Sequence, residues 1–315
     1  SAITHFTHDI IPIQFPLQQG INFESVVDVL KMKVLKYNRD GKGKYTEEEI
    51  PAELHPRAAK MREELIEKIA ETDEKLLDKF FTNGTLSDTE LKEGLKKGIR
   101  ERKVFPVLCT SASHNIGVSS LLDFIVDFCP NPHEVEPSVG TLVGTTNQVK
   151  IPCDPAGQTV IFVFKTVSEP HVGELSFFRV YSGSISPGND LVNNNNGKIE
   201  RVAQIFVMNG KERKEINKLV AGDIGAVVKL KDTHTNNTLS SKGFSVLLPP
   251  IPFPEPVISM AIVAKAKGDE DKIANGLHSL HEEDPTFVMT VDPELRQTVI
   301  SGQGELHLDI IIKRL

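Results

Sequence analysis

VIFVFKT (residues 160–166) and ELSFFRVYSGSI (residues 174–185) are the two stretches that decide the fold. Each is a short run rich in β-branched and aromatic residues, and similar runs continue as far as residue 248. Turn signals bound the runs, namely Ser182-Gly183, Pro187-Gly188, Asn196-Gly197 and Asn209-Gly210. Short strands at this regular spacing predict a closed antiparallel β-barrel, because closure leaves no strand edge exposed.

The segment before the barrel changes from strand to helix patterning. Residues 9–36 alternate apolar and polar side chains and predict strands, whereas apolar residues recur at helical spacing from Arg57 onwards. Asn83-Gly84 is expected to end one helix, and Ser87-Asp88-Thr89-Glu90 is a capping box that begins the next.

A strand, a loop of small residues and a helix follow one another between residues 104 and 128. The loop contains Ser111, Ala112 and Ser113, and it lies at the carboxyl end of the strand, where α/β sheets bind ligands. Small side chains at these positions would let backbone amides approach a flat purine. The loop resembles the Ser-Ala motif that borders the guanine base in GTPases.

Length and composition limit the class of protein. The chain has 315 residues, 39% of them hydrophobic, which suits two or three domains with packed cores. The formal net charge is -7, so a dense basic surface for non-specific nucleic-acid binding is not expected. No apolar run approaches the ~20 residues that cross a bilayer, and no signal peptide is evident. The start at Ser1 and the end within a helical pattern indicate part of a longer protein.

Patterns for metal binding and catalysis are missing from the sequence. Cys109, Cys129 and Cys153 are widely spaced and predict neither a disulfide framework nor a zinc site, which favours a reducing cytoplasm. His278 and His281 have no evident third ligand, so no metal site is predicted. No G-x-x-x-x-G-K-[ST] phosphate loop occurs. We therefore predict no catalytic residue and do not expect this chain alone to hydrolyse GTP.

Two longer stretches identify a family. Residues 164–185 and Ala221-Gly222-Asp223-Ile224-Gly225-Ala226-Val227 resemble the second domain of translational GTPases. Residues 256–315 alternate strand and helix patterns and include Gly304-Glu305-Leu306-His307-Leu308. This part resembles the third domain of elongation factor G.

The resemblance implies a multi-domain α+β fold in three parts. Residues 1–137 would be the inserted subdomain and the C-terminal end of the GTPase domain, a partial α/β region. Residues 138–250 would be the antiparallel β-barrel, known as domain II. Residues 251–315 would be domain III, an α/β sandwich of the ferredoxin-like type.

The resemblance also implies a function and its partners. The parent protein would bind GTP or GDP with Mg²⁺ and promote ribosomal translocation, while this fragment would bind no nucleotide tightly. The ribosome is the expected partner, through small-subunit RNA and protein, with no membrane and no DNA. Alternatives are a non-enzymatic ribosome- or RNA-binding protein, or a related translational GTPase that acts in ribosome recycling or drug protection. Glu169 and Glu174 depart from the family pattern and fit a paralogue as well as the main factor.

Three sets of site residues follow from the resemblance. Ser111, Ala112 and Ser113 would form the guanine edge. The candidates for ribosome contact are Lys165, His171, Lys198 and Arg201. The residues expected beside an interdomain pocket of the fusidic-acid type are Asp284, Thr286, His307 and Arg314.

Overall fold

The computed structural model describes residues 10–20, 23–169, 173–264, 266, 268–292 and 297–315. The chain divides into two compact units, Ser1–Val135 and Glu136–Leu315. None of the described helices combines the length and the apolarity that crossing a bilayer requires.

The first unit contains a small parallel pair of strands, an antiparallel sheet and four described helices. Its strands are β1 (Ile10–Pro12), β2 (Gln14–Pro16), β3 (Ser25–Asp28), β4 (Lys33–Tyr37), β5 (Tyr45–Glu48) and β6 (Phe105–Val107). Its helices are α1 (His55–Ala70), α2 (Glu74–Asn83), α3 (Asp88–Arg100) and α4 (Val118–Phe128). β1 pairs with β6 in parallel, and the other strands form an antiparallel sheet in the order β2-β3-β4-β5.

Local sequence signals explain where these helices begin and end. The Asp73 side chain accepts hydrogen bonds from the amides of Lys75 and Leu76 and so caps the start of α2. Gly84 ends α2 with a left-handed backbone (φ 70°). Ser87 and Glu90 form the reciprocal capping box of α3. The predicted helix end at Asn83-Gly84 and the predicted helix start at Ser87 are therefore confirmed.

The second unit begins with the barrel region. Its strands are β7 (Ser138–Leu142), β8 (Gln148–Ile151), β9 (Val160–Glu169), β10 (Gly173–Ser182), β11 (Ser184–Ile185), β12 (Asp190–Asn193), β13 (Ile199–Arg201), β14 (Ile205–Asn209), β15 (Glu212–Ile216), β16 (Leu219–Val220), β17 (Ile224–Val228), β18 (Thr238–Ser240) and β19 (Val246–Leu247). The main sheet is antiparallel in the order β13-β12-β18-β9-β10-β17-β14-β15. Two smaller sheets, β11-β16 and β19-β7-β8, lie beside it.

The main sheet curls around one apolar core. Phe178, Ile205 and Leu239 come from separate parts of the sheet, are fully buried and belong to the same cluster. Register shifts between β9 and β10, at Phe177/Phe178 and Val180/Ser182, mark bulges of the kind that increase twist. The predicted barrel is present as a curled antiparallel sheet. β13 and β15 are its edges and do not pair, so the expected full closure is not observed among the described strands.

The unit ends with a compact C-terminal module. It consists of β20 (Ile258–Ile262), α5 (Glu270–Glu283), β21 (Val288–Asp292), β22 (Gln297–Gly302) and α6 (Glu305–Arg314). The sheet order is β20-β22-β21, all antiparallel, and both helices pack on one face through Leu277, Leu280 and Leu308. The order β-α-β-β-α matches the first five elements of a ferredoxin-like fold. The predicted multi-domain α+β fold is therefore confirmed.

Candidate functional site

The loop after β6 holds Ser111, Ala112 and Ser113 in a tight hairpin-like turn. The amide of Ser111 donates to the carbonyl of Ile116 at 2.8 Å, and the amide of Ile116 donates back at 3.0 Å. Ala112 and Ser113, at the tip of the turn, are exposed. Their amides make no hydrogen bond within the described residues, so both are free to donate to a ligand.

A close backbone approach at Gly117 and two hydrogen bonds hold this loop in place. Gly117 has a φ of 74°, and a Cβ there would lie 2.3 Å from the carbonyl oxygen of Cys109, so only glycine fits. The side-chain amide of Asn115 donates to the carbonyl of Gly41 at 2.9 Å. The hydroxyl of Ser119 donates to the carbonyl of Gly43 at 2.8 Å. The turn is thus fixed by the neighbouring hairpin and by the start of α4.

Side chains within the turn are polar but contain no activated nucleophile. His114 Nδ1 lies 3.2 Å from the Ser111 hydroxyl and 3.1 Å from the Ser113 hydroxyl. Burial raises the pKa of the Cys109 thiol, which keeps it protonated, and its Sγ donates to the carbonyl of Gln14 at 3.6 Å. This arrangement suits recognition of a planar ring by backbone amides and does not suit covalent chemistry.

A second cluster lies where β22 turns into α6. The amide of Gln303 donates to His307 Nδ1 at 3.1 Å, so this nitrogen carries no proton. His307 Nε2 then carries the ring proton and donates to Asp284 Oδ2 at 3.1 Å. Thr286 donates to Asp284 through its amide, at 3.0 Å, and through its hydroxyl. Asp284, Thr286 and His307 are therefore brought together in one cluster, and their place beside an interdomain pocket stays a prediction.

The charge of Asp284 is stabilised by these donors. Partial burial opposes ionisation of the carboxyl group, but the hydrogen bonds from Thr286 and then from His307 outweigh it and lower the pKa of Asp284. The carboxylate is thus ionised near neutral pH and fixes the orientation of the His307 ring.

Arg314 occupies a different place from the other three predicted pocket residues. It lies at the C-terminal end of α6, whereas His307 lies in the first turn, which separates the two by about 10 Å along the helix. Its guanidinium pairs with Glu283 at the end of α5. The predicted pocket set is therefore one cluster of three residues and one separate ion pair.

The predicted ribosome contacts are spread over the barrel sheet. Lys198 pairs with Asp232, and Arg201 pairs with Asp190 at 3.2 Å. Lys165 is exposed and forms no ion pair with any described residue. It lies on β9, three strands from β13, which corresponds to about 14 Å across the sheet. His171 lies outside the described residues.

The β14–β15 hairpin presents a basic surface that the sequence reasoning did not single out. Asn209 and Gly210 make its turn, and strand β15 is exposed along most of its length. The cationic residues of the hairpin and the segment after it are Lys211, Arg213, Lys214 and Lys218. These basic residues alternate with Glu212 and Glu215, so the local net charge is small. For this reason the sequence shows no run of basic residues.

No metal centre accompanies these clusters in the described part of the chain. Nowhere in it do three or more His, Cys, Asp or Glu side chains come together in a way that could hold an ion. His281 donates through Nδ1 to the carbonyl of Phe287 at 2.7 Å, which gives that histidine a structural role.

Comparisons with known families cover the barrel region and the C-terminal module. Residues 158–242 match the family described as Elongation factor G domain 2, and residues 253–315 match Elongation Factor G, domain III. Both matching families are domains of elongation factor G. The order of the two domains along the chain agrees with the resemblance noted in the sequence.

A solved structure extends the similarity beyond the two domains. A crystal structure of a protein from Thermus thermophilus superposes with a TM-score of 0.81 and 27% sequence identity. The match covers 97% of this chain and 43% of that one. The chain thus spans less than half the length of this similar protein, and the first unit takes part in the match.

The two matched regions contain two of the three predicted site sets. Lys165, Lys198 and Arg201 lie within the domain 2 match, as does the basic β14–β15 hairpin. The Asp284 cluster and Arg314 lie within the domain III match. The loop at Ser111 lies outside both, so its assignment to the guanine edge stays a prediction.

Proposed function

We propose that this chain is part of an elongation factor G-like translational GTPase that promotes GTP-dependent ribosomal translocation. The observation that carries the proposal is the consecutive match to elongation factor G domains 2 and III. The protein to which the chain belongs is called the parent below. Its cytoplasmic location is part of the proposal, since protein synthesis takes place there.

In this proposal the loop at Ser111–Ser113 borders the guanine base of GTP or GDP. The free amides of Ala112 and Ser113 can donate to the base, and the small side chains let it approach. The phosphates and Mg²⁺ are held elsewhere in the parent, because this chain has no phosphate loop. The 315-residue chain alone therefore binds GTP weakly and does not hydrolyse it.

The barrel then docks on the small ribosomal subunit. Lys165 is free to meet a phosphate, whereas Lys198 and Arg201 would exchange their carboxylate partners for one. Such an exchange costs little, because exposed ion pairs contribute about 0 to 1 kcal/mol. The contact should weaken with added salt, as phosphate contacts release counterions.

The test described below also distinguishes two other functions. A non-enzymatic ribosome-binding protein would use the same barrel surface without nucleotide. A related translational GTPase in recycling or drug protection would bind both GTP and ribosomes without moving messenger RNA.

Nucleotide and ribosome binding by the parent provide the first test. We expect GTP to bind the parent, and ribosome co-sedimentation to require a non-hydrolysable GTP analogue and to fall with salt. Lys165→Glu should reduce co-sedimentation, and Lys242→Glu, an exposed change elsewhere in the barrel, should affect it less. Ribosome binding without any nucleotide binding would overturn the proposal in favour of the non-enzymatic alternative.

A further inference from the structure

The hairpin between β4 and β5 has a closed tip at residues 38–44. The amide of Asn38 donates to the carbonyl of Lys44 at 3.0 Å, which closes the tip. Within it, Gly41 and Gly43 both have left-handed backbones, with φ of 71° and 68°. The tip therefore has a fixed shape against which a neighbouring loop can be held.

Two side chains that follow the turn at Ser111 attach to this tip. Asn115 Nδ2 donates to the carbonyl of Gly41 at 2.9 Å, and the Ser119 hydroxyl donates to the carbonyl of Gly43 at 2.8 Å. A Cβ added at Gly43 would lie 3.0 Å from Asn115 Nδ2, so the amide group packs directly against this glycine. The hairpin thus contacts the loop through backbone groups that no side chain of the tip can replace.

Asn115 also shapes the turn itself. Its backbone is left-handed, with φ of 52°, a conformation that asparagine adopts more readily than most residues. Its amide donates to the carbonyl of Ala112 at 3.2 Å. Ala112 and Ser113, whose amides are free to donate, are therefore held by a residue whose side chain is fixed on the hairpin.

Buried packing joins the hairpin to the loop as well. Ile116 is 2% exposed and belongs to one apolar cluster with Leu35 and Tyr37 of β4. The Tyr37 hydroxyl donates to Ser120 Oγ at 2.8 Å, and that hydroxyl donates to the carbonyl of Gly117 at 3.0 Å. A displacement of the tip would therefore be transmitted to the turn.

We propose that the tip of the β4–β5 hairpin is a positioning element for nucleotide binding. The carbonyls of Gly41 and Gly43 fix Asn115 and Ser119, and this presets the two free amides of the turn for a guanine base. A preset loop loses little conformational freedom on binding, which raises affinity. None of these four residues touches the nucleotide. The inference rests on the proposed function, because it names what positions the guanine-edge loop of that proposal.

GDP binding by the parent, measured by titration calorimetry, tests the proposal from the hairpin side. Gly41→Ala and Gly43→Ala carry similar backbone strain, because both glycines are left-handed. Only the Cβ at position 43 presses on Asn115, since a Cβ at position 41 meets nothing within 4 Å. We expect Gly43→Ala to raise the Kd for GDP about threefold more than Gly41→Ala does, as one weakened hydrogen bond would.

Asn115→Asp tests the proposal from the loop side. Aspartate has the same shape and tolerates the left-handed backbone, but its carboxylate cannot donate to the carbonyl of Gly41. The Kd for GDP should rise about fivefold, the value of one hydrogen bond. Lys42→Ala makes the same change of charge at an exposed position of the tip and should leave the Kd unchanged. In the 315-residue chain, only Asn115→Asp should lower the heteronuclear NOE of the Ala112 and Ser113 amides, a change that lower stability alone does not produce.

The outcomes separate this inference from the proposed function. If the wild-type parent binds no GDP, the proposed function fails and the inference fails with it. If the parent binds GDP, and the two test variants bind it as tightly as their controls, the positioning role is wrong and the proposed function stands. Ser119→Ala removes one hydroxyl within α4 and replaces any test variant that does not fold, and an unchanged Kd in Ser119→Ala would then contradict the positioning role.

Discussion

At the scale of single residues, the His307 ring is oriented from both sides. Gln303 donates to one nitrogen, and Asp284 accepts from the other. The sequence could place Asp284, Thr286 and His307 in one region, because the family resemblance aligned the strand-to-helix turn. The sequence could not predict which ring nitrogen of His307 carries the proton. That depends on the direction of the Gln303 amide, which is defined only in the folded turn.

Replacing Asp284 should therefore destabilise the module in a pH-dependent way. The folded-state pKa of Asp284 is lowered, so its stabilisation is present above the unfolded value of about 3.9 and is lost as pH falls through the folded value. We expect Asp284→Asn to cost about 1 kcal/mol at pH 7. Urea unfolding followed by the Met289 methyl signal measures this cost. Exposed Asp309→Asn is the control, and a cost that grows towards acid pH would contradict the assignment.

Gly117 should be irreplaceable in the loop that contains Ser111, Ala112 and Ser113. An alanine must adopt the left-handed backbone, which costs about 1 to 2 kcal/mol, and must also displace the Cys109 carbonyl. Gly84 has a similar φ of 70°, but a Cβ added there would meet nothing within 4 Å, so Gly84→Ala reports the backbone cost alone. Urea unfolding of the first unit should show a larger loss for Gly117→Ala. Equal losses of stability in the two variants would contradict a steric cost at Gly117.

At the scale of elements, Glu90 of the α3 capping box also pairs with Lys79 of α2. Its pKa is lowered to about 2, first by the hydrogen bond from Lys79 and then by the hydroxyl and amide of Ser87. Lys79→Met should raise the pKa of Glu90 more than Ser87→Ala does. Carboxyl chemical shifts followed through a pH titration measure both values, and a larger rise in Ser87→Ala would reverse this order of causes.

The buried carboxylate of Glu200 organises the loop that follows β17. It is 4% exposed and accepts from the amides of Asp232, at 2.7 Å, and Lys231, at 3.1 Å, and from the Thr233 hydroxyl at 2.9 Å. Glu200→Ala would leave these donors unpaired, at a cost of about 3 kcal/mol for the barrel. Glu200→Gln keeps an acceptor and should cost less in urea unfolding. Equal stability of the alanine variant and the wild type would contradict this role.

Elements differ in how far the sequence predicts them. Runs such as residues 160–164 were predictable because the apolar pattern and the turn residues are local. β15 was not, because Glu212–Ile216 is mostly charged and exposed, and nothing in its own sequence indicates its pairing with β14. The same limit applies to the contact between Ser168 and Glu283, since nothing within either segment indicates its partner.

At the scale of the whole molecule, hydrogen bonds attach the linker to the barrel through Asn236 and to the C-terminal module through Gln303. The resemblance anticipated the domain order, which depends only on motifs. It could not anticipate the contact between Ser168 and Glu283, because that contact depends on how the end of α5 meets strand β9.

The most direct test of the proposed function is movement of messenger RNA by the parent on ribosomes. With GTP, the parent should shift pre-translocation ribosomes by one codon, as read by primer extension, and a GTP-free reaction should leave them in place. A parent that binds GTP and ribosomes but produces no shift would contradict a role in translocation and favour the related GTPases.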